Sequence, residues 1–216
     1  MFVFEYVFFD LDGTITDSGN GIINAALYAL EKYNISVNEK NELRKFIGPP
    51  LQDSFSTDYG FNEEEIDGVI ATFREYYSEK GLFENEVYQG MEEVLKELKN
   101  RNKKLVIATS KPEVFTIKVL EHFDLLKYFD YIGAASLDDS KIKKGEIIAE
   151  AIETLNIDDL EKVVMVGDRK HDIKGANVNG IASIGCMWGY GNIEEFQKHE
   201  ATYIANEVLD LLEIIK

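Results

Sequence analysis

Asp10 and Asp12 stand two residues apart near the start of the chain, directly before Gly13. An extended backbone would point both carboxylates to the same side, because side-chain direction in a strand alternates with a period of two. Asp168 and Asp172 are four residues apart, a spacing that predicts one shared face of a first helical turn. Carboxylates that converge repel one another unless a cation joins them, so these acids predict a hard divalent cation such as Mg²⁺.

A divalent cation beside a spare carboxylate predicts phosphoryl transfer, in which an aspartate can act as the nucleophile. Thr109 and Ser110 can donate hydroxyl and backbone N–H bonds to phosphoryl oxygens, and a lysine would offset the remaining negative charge. We expect that lysine to be Lys144, ahead of Lys141 and Lys143, because Lys144 directly precedes a predicted amphipathic helix.

Each of these polar clusters follows a short apolar run of the kind that forms a buried strand. Apolar residues at helical spacing lie between the runs, and strands that alternate with helices predict an α/β fold with a parallel sheet. Ligands bind such sheets at the carboxyl ends of the strands, where all the clusters would meet. The predicted strands cover residues 6–9, 105–108, 131–132, 163–166 and 182–184.

Residues 15–89 interrupt this alternation. Apolar side chains recur at helical spacing around Leu27 and again between Glu63 and Tyr77, and we find no convincing strand in this stretch. The segment is too long for a simple loop, so it predicts a small all-helical domain inserted after the first strand. Residues 1–14 and 90–216 would then form the α/β core.

The composition narrows the classes of partner. Among 216 residues, 40 are acidic and 23 are basic, giving a net charge of −17, while 45% are hydrophobic. This predicts a globular protein without the basic footprint that a nucleic acid polymer or an anionic membrane requires. Cys186 is the one cysteine, and no apolar run is long enough to span a membrane, so we expect a cytoplasmic protein. We expect a monomer or a homodimer.

Four ordered motifs together resemble the haloacid dehalogenase superfamily, in its phosphatase branch with a helical cap inserted after the first motif. The resemblance extends over essentially the whole chain and is strongest to the phosphoglycolate phosphatase-like group, which includes nucleotide and sugar-phosphate phosphatases. It implies a Rossmann-like core and a Mg²⁺-dependent phosphomonoesterase acting on a small metabolite, such as phosphoglycolate or a nucleoside monophosphate. The motifs are Asp10-Leu11-Asp12-Gly13-Thr14, Thr109, Lys144 and Gly167-Asp168-Arg169-Lys170-His171-Asp172.

The resemblance also implies a role for each motif residue. Asp10 would be the nucleophile that forms an aspartyl-phosphate, and Asp12 would protonate the leaving group and then deprotonate water. The metal would be held by the side chains of Asp10 and Asp168 and by the backbone carbonyl of Asp12, with Asp172 in the outer shell or bonded to the lysine. Thr109, Ser110 and Lys144 would bind the phosphoryl group. One departure is Gly145, where many relatives have proline after the lysine.

Arg44 and Phe46 lie just before the rigid turn Gly48-Pro49-Pro50 in the predicted cap. In resembling phosphatases the cap selects the substrate, so both residues are candidates for specificity. The alternatives are a surface role for Arg44 and a place in the cap core for Phe46.

Two other functions fit parts of the pattern. A sugar phosphomutase would use the same chemistry, and a phospho-accepting signalling module also combines acids, Mg²⁺, a hydroxyl and a lysine. The second is disfavoured by the long insertion and by Asp12, which suits fast turnover.

Overall fold

A computed structural model describes residues 4–137 and 143–216 of the chain. Lys141, the alternative phosphate-binding lysine, lies outside the described residues. Within them no helix is both long and apolar enough to cross a membrane.

Six strands form one sheet in the described part of the chain, and every paired strand runs parallel to its neighbours. The α/β fold predicted from the apolar runs is therefore confirmed. The order across the sheet is β5-β4-β1-β6-β7-β8, so the first strand is central. The strands are β1 (Tyr6–Phe9), β4 (Lys104–Pro112), β5 (Tyr131–Ala135), β6 (Val163–Gly167), β7 (Ala182–Cys186) and β8 (Tyr203–Ala205), and two-residue strands β2 (Thr16–Asp17) and β3 (Glu86–Val87) pair separately.

Helices follow most strands because apolar residues recur every three to four positions. Met91, Val94, Leu95 and Leu98 are all buried along one stripe of α4, and Gly90 precedes that helix with a positive φ of 86°. The α-helices are α1 (Gly19–Lys32), α2 (Leu51–Tyr59), α3 (Glu63–Tyr76), α4 (Met91–Asn100), α5 (Glu113–His122), α6 (Lys144–Thr154), α7 (Lys170–Val178), α8 (Ile193–Lys198) and α9 (Leu211–Ile214).

One face of the sheet packs against α6 and α7. Phe8, Val106 and Met165 come from three adjacent strands and are fully buried against Ile148 and Ala176 of the two helices. Burying a side chain of this size stabilises the fold by ~1.5–3 kcal/mol. This layer fixes the strands whose carboxyl ends carry the polar motifs.

The chain divides into two compact units, Met1–Thr16 with Val87–Lys216 and, separately, Asp17–Glu86. The second unit contains α1, α2 and α3, and an aromatic cluster lies at its core. Phe55 is fully buried there and makes edge-on contacts with Phe46, Phe61 and Phe73.

One local prediction was wrong. Asp168, expected on a helical face with Asp172, precedes α7, because Arg169 is extended (φ −130°, ψ 162°) and the helix begins at Lys170. The strand β8 was not predicted, since three residues at a sheet edge, two of them half-buried, carry too little pattern.

Candidate active site

A tight turn after β1 places Asp10 and Asp12. The carbonyl of Leu11 accepts hydrogen bonds from the amides of Ile15 (2.9 Å) and Thr16 (3.0 Å), which folds the chain back immediately after the strand. Gly13 allows this turn because its φ is +84°, and a Cβ there would lie 2.3 Å from Asp168 Oδ2. The same glycine therefore shapes the turn and leaves room for the carboxylate of Asp168, which follows β6.

Parallel pairing brings the other motifs to the same edge. Phe9 aligns with Ile107 of β4 and with Val166 of β6, and the amide of Asp10 donates to the Val166 carbonyl at 2.9 Å. Asp10, Thr109 and Asp168 come one or two positions after these three residues, so strand register assembles the site.

Asp168 is fully buried and fixed through both of its carboxylate oxygens. Thr14 Oγ1 donates to Oδ1 at 3.3 Å, and the backbone amide of Tyr190 donates to Oδ2 at 2.8 Å. Trp188, in the same loop as Tyr190, donates its indole N–H to the Thr14 carbonyl at 3.0 Å. The loop after β7 thus closes over Asp168.

Three carboxylates gather at the centre of the site: Asp10, Asp168 and Asp172 each offer an oxygen within 4.8 Å of the others. Lys144 Nζ lies 2.8 Å from Asp10 Oδ1 and 2.9 Å from Asp172 Oδ1, and it donates to the Ala108 carbonyl at 2.9 Å. Asp172 returns to the cluster from the first turn of α7, where its Oδ2 accepts the Arg169 amide at 3.0 Å.

This crowding shifts the pKa values of the charged residues. Burial raises the pKa of Asp168 well above its ordinary value, and the charges of Asp172 and Asp10 raise it further. Burial also raises the pKa of Asp10, against the opposing effect of Lys144. Burial lowers the pKa of Lys144, but the neighbouring charges of Asp10 and Asp172 outweigh it and raise that pKa to about 12. The lysine is therefore an ammonium ion at neutral pH.

Asp12 faces a different lysine. Lys111 Nζ lies 2.9 Å from Asp12 Oδ1 and 2.8 Å from Oδ2, and only 5% of the Lys111 side chain is exposed. Among the described residues, the three-carboxylate cluster does not include Asp12.

The structure brings most of the predicted phosphate-binding residues to this edge. Thr109 is buried and its side chain hydrogen-bonds to Asp10. Ser110 follows it in β4, half-buried. Lys144 reaches the cluster, whereas Lys143 lies 3.8 Å from Glu146 with 79% of its side chain exposed.

Arg44 and Phe46 belong to the second unit, on a short 3-10 helix spanning Lys40–Phe46. Arg44 is exposed. Phe46 is only 1% exposed, stacked on Tyr59 and edge-on to Phe55, so in this structure it is part of the aromatic core.

The donor set suits a hard divalent cation. Asp172 is only 1% exposed, and its Oδ1 lies 2.9 Å from Lys144 Nζ, the lysine that it shares with Asp10. Four carboxyl groups and two lysine ammonium groups meet in this part of the described chain, so the acids outnumber the lysines that contact them. Carboxylate oxygens are the ligands that Mg²⁺ prefers.

Sequence reasoning missed Lys111 and the amide of Tyr190. Lys111 lies next to Thr109 and Ser110 in the second motif, and that position was the available signal. The Tyr190 amide carries no signal in its residue type, because a backbone donor is available at almost any residue.

Comparison with known proteins identifies the family of the chain. The family model for haloacid dehalogenase-like hydrolases matches residues 7–186. A protein described as a predicted phosphatase from Clostridium acetobutylicum superposes with a TM-score of 0.95 at 45% identity, covering 99% of this chain and 98% of that one. The 5'-nucleotidase of Pseudomonas aeruginosa is 35% identical over 97% of this chain and 95% of its own length. The tyrosine-protein kinase PtkA of Mycobacterium tuberculosis is 34% identical over 94% of this chain and 68% of its own length. The chain therefore belongs to the haloacid dehalogenase-like hydrolase family.

Proposed function

We propose that this protein is a Mg²⁺-dependent phosphomonoester hydrolase that acts on a small phosphorylated metabolite through an aspartyl-phosphate at Asp10. The observation that carries the proposal is the position of Asp10. Its carboxylate lies at the end of the central strand, 14% exposed, between Lys144 and the buried hydroxyl of Thr109. A carboxylate held there can attack phosphorus while neighbouring donors stabilise the charge on the transferring group.

In the first half of the reaction, an oxygen of Asp10 forms a bond to phosphorus as the bond from phosphorus to the leaving oxygen breaks. Asp12 gives its proton to that leaving oxygen, so the first product departs as an alcohol. Lys144 and the hydroxyls of Thr109 and Ser110 hold the phosphoryl oxygens during the transfer. Such proton donation contributes ~10²–10⁴-fold to a rate.

In the second half, the carboxylate of Asp12 takes a proton from water, and the resulting hydroxide attacks the phosphorus of the aspartyl-phosphate. The bond between Asp10 and phosphorus breaks, and inorganic phosphate leaves. Asp12 ends with the proton with which it began, so the cycle balances as ester plus water giving alcohol plus phosphate. One residue serves both directions because it loses a proton in one half and regains it in the other.

Asp10 and Asp168 would hold the Mg²⁺ through their side chains and Asp12 through its backbone carbonyl, with Asp172 in the outer shell. When bound, the cation neutralises charge on the phosphoryl oxygens. The convergence of the Asp10, Asp168 and Asp172 carboxyl groups at this edge supports that assignment.

For the substrate we propose a nucleoside monophosphate or a small phosphorylated acid such as phosphoglycolate, cleaved in the cytoplasm. The similarity to a 5'-nucleotidase over nearly the full length of both chains supports the first. Residues 17–86 would act as a cap that selects among such esters.

The test is hydrolysis of p-nitrophenyl phosphate and of a panel of phosphorylated metabolites, with and without Mg²⁺. We expect Mg²⁺-dependent phosphate release and no activity in Asp10→Asn. Mass spectrometry of acid-quenched enzyme should find one added phosphoryl group on the peptide carrying Asp10. Full activity in Asp10→Asn would disprove the nucleophile assignment.

The same panel separates the rival functions. A sugar phosphomutase would return an isomeric sugar phosphate instead of free phosphate. A kinase would transfer phosphate from ATP to a protein tyrosine and would leave simple esters intact. Stoichiometric inorganic phosphate from a monoester supports hydrolysis over both.

A further inference from the structure

The ion pair between Lys111 and Asp12 is a buried part of the site. Lys111 is 7% exposed as a residue, and its ammonium group contacts both oxygens of the carboxylate, at 2.8 and 2.9 Å. Removing an ammonium ion from water costs several kcal/mol unless a well-placed partner compensates for it. A lysine this deeply buried beside a carboxylate is therefore not an incidental surface contact.

The main chain around Lys111 is fixed in a way that aims the side chain. The pairing of β4 with β5 shifts register between Thr109 and Pro112, and such irregularities re-aim side chains at the ends of strands. The Lys111 amide donates to Thr109 Oγ1 at 3.3 Å, and its carbonyl accepts from Thr116 Oγ1 of α5 at 3.3 Å. Both contacts hold the lysine at the edge of the sheet that carries Asp10.

Two lysines divide the four acids of this edge into two groups. Lys144 contacts Asp10 and Asp172 in the three-carboxylate cluster, whereas Asp12, two residues from Asp10, is held outside it. Without the ammonium of Lys111, a free Asp12 carboxylate beside a divalent cation would gain by turning toward it. An oxygen bound to the cation could no longer carry a proton to and from the substrate.

We infer that Lys111 is a positioning residue that holds the Asp12 side chain apart from the metal-binding carboxylates, so that its oxygens do not bind the cation. This rests on the proposed hydrolase function and adds a residue to it. The role is electrostatic and geometric, so arginine, which keeps the charge and can contact both carboxylate oxygens, should replace lysine in part.

The leaving group of the substrate provides the test. An alkyl phosphate needs a proton on its departing oxygen, whereas p-nitrophenolate departs as a stable anion. Because kcat/KM covers the steps up to that departure, we expect Lys111→Met to lower kcat/KM for an alkyl phosphate by ~10²-fold and for p-nitrophenyl phosphate by much less. Lys111→Arg should keep most of the wild-type ratio between the two substrates.

Lys103→Met is the matched control. Lys103 is also 7% exposed and lies just before β4, but its ammonium donates to the carbonyls of Phe4 (2.6 Å) and Lys216 (2.7 Å). Its loss should lower thermal stability and leave the substrate ratio unchanged. The inference would be overturned if Lys111→Met lowered kcat/KM equally for both esters. It would also be overturned if Lys103→Met changed the ratio of kcat/KM between the two esters.

A second readout does not depend on turnover. In a crystal structure of Lys111→Met grown with Mg²⁺, we expect the Asp12 carboxylate to have turned toward Asp10 and the cation. A carboxylate that stays where Lys111 now holds it contradicts the inference. If the wild-type enzyme hydrolyses neither ester, the proposed function fails, and the crystal structure still decides whether Lys111 positions Asp12.

Discussion

Lys144 Nζ contacts Asp10 Oδ1 at 2.8 Å, and only 4% of the lysine side chain is exposed. The Lys144 ammonium group thus lies directly against the Asp10 carboxylate, which we assign as the nucleophile. A buried ammonium in this position stabilises negative charge both on Asp10 and on a phosphoryl group transferred to it.

Replacing Lys144 with methionine should lower kcat/KM by ~10²-fold or more, because the removed charge is desolvated and close to the transferring group. The control is Lys143→Met, one residue earlier, where the side chain is 79% exposed and should change kcat/KM little. Steady-state kinetics on p-nitrophenyl phosphate measure both. A loss as large in Lys143→Met as in Lys144→Met would contradict the assignment of the lysine.

The pKa of Lys144 predicts the form of the pH profile. That pKa is raised from 10.5 to about 12, so the stabilisation from this ion pair is fully present below about 10.5 and is lost as the pH rises through about 12. We therefore expect no change in activity from this group between neutral pH and about 10. A fall in kcat/KM near pH 8 that is absent from Lys144→Arg would show that the lysine loses its proton early.

Asp168 predicts a link between cation binding and stability. Its pKa is raised well above 3.8, so the folded protein is favoured at pH values below 3.8, and that advantage is lost as the pH rises through the raised value. At neutral pH the folded protein without Mg²⁺ is therefore destabilised by the buried charge of Asp168. We expect Mg²⁺ to raise the Tm, with ~2.7 kcal/mol of stabilisation at a concentration one hundred times the Kd.

Asp168→Asn should separate the two effects. Without Mg²⁺ this variant should melt at a higher temperature than the wild type, and added Mg²⁺ should shift its Tm far less. The exposed Asp158 offers a control of equal charge, since Asp158→Asn should keep the wild-type Mg²⁺ response. Thermal denaturation in chelator and in Mg²⁺ measures each case. An unchanged Mg²⁺ response in Asp168→Asn would exclude this carboxylate as a ligand.

The α/β fold was predictable because central parallel strands are buried on both faces and therefore appear as short apolar runs. Val163–Gly167 is buried at every position, and the sequence reveals it directly. The position of Asp168 was harder to predict. Four-residue spacing suits a helix, but the carboxylate of Asp172 bonds back to the Arg169 amide and the helix begins after Asp168.

The partner of Asp12 could not be predicted from local pattern. Lys111 is 99 positions away in sequence. The direction of its side chain depends on a register shift in β4, which cannot be predicted from the residue types. Lys144 was easier, because it begins a helix with clear apolar periodicity. Local spacing thus predicts which elements carry the charged residues, while contacts between elements decide which acid each lysine joins.

Gly13→Ala should damage the site through its backbone. The residue has a φ of +84°, and a Cβ would lie 2.3 Å from Asp168 Oδ2 and 2.7 Å from the Tyr190 ring. Gly180 also has a positive φ, +67°, but nothing lies within 4 Å of its Cβ position. Gly180→Ala should therefore cost only the left-handed backbone penalty, ~1–2 kcal/mol, and keep full activity.

Urea unfolding and kcat/KM together test this comparison. We expect Gly13→Ala to lose more stability than Gly180→Ala and to lose most of its activity, because Asp168 must move. Equal stability and equal activity in the two variants would show that Gly13 is not required by the close approach of Asp168.

Arg44 is exposed in the unit Asp17–Glu86, which we propose acts as a cap, and the test of its role in substrate selection is a ratio of rates. Arg44→Ala should shift relative kcat/KM among nucleoside monophosphates and phosphorylated acids while sparing p-nitrophenyl phosphate, since that ester has neither a carboxylate nor a nucleobase for an arginine to bind. Lys40→Ala, at the exposed start of the same 3-10 helix, removes an equal charge and should leave the ratios unchanged. Equal losses on every ester in Arg44→Ala would argue for a role in folding instead, and would leave the choice of substrate to other residues of the unit Asp17–Glu86.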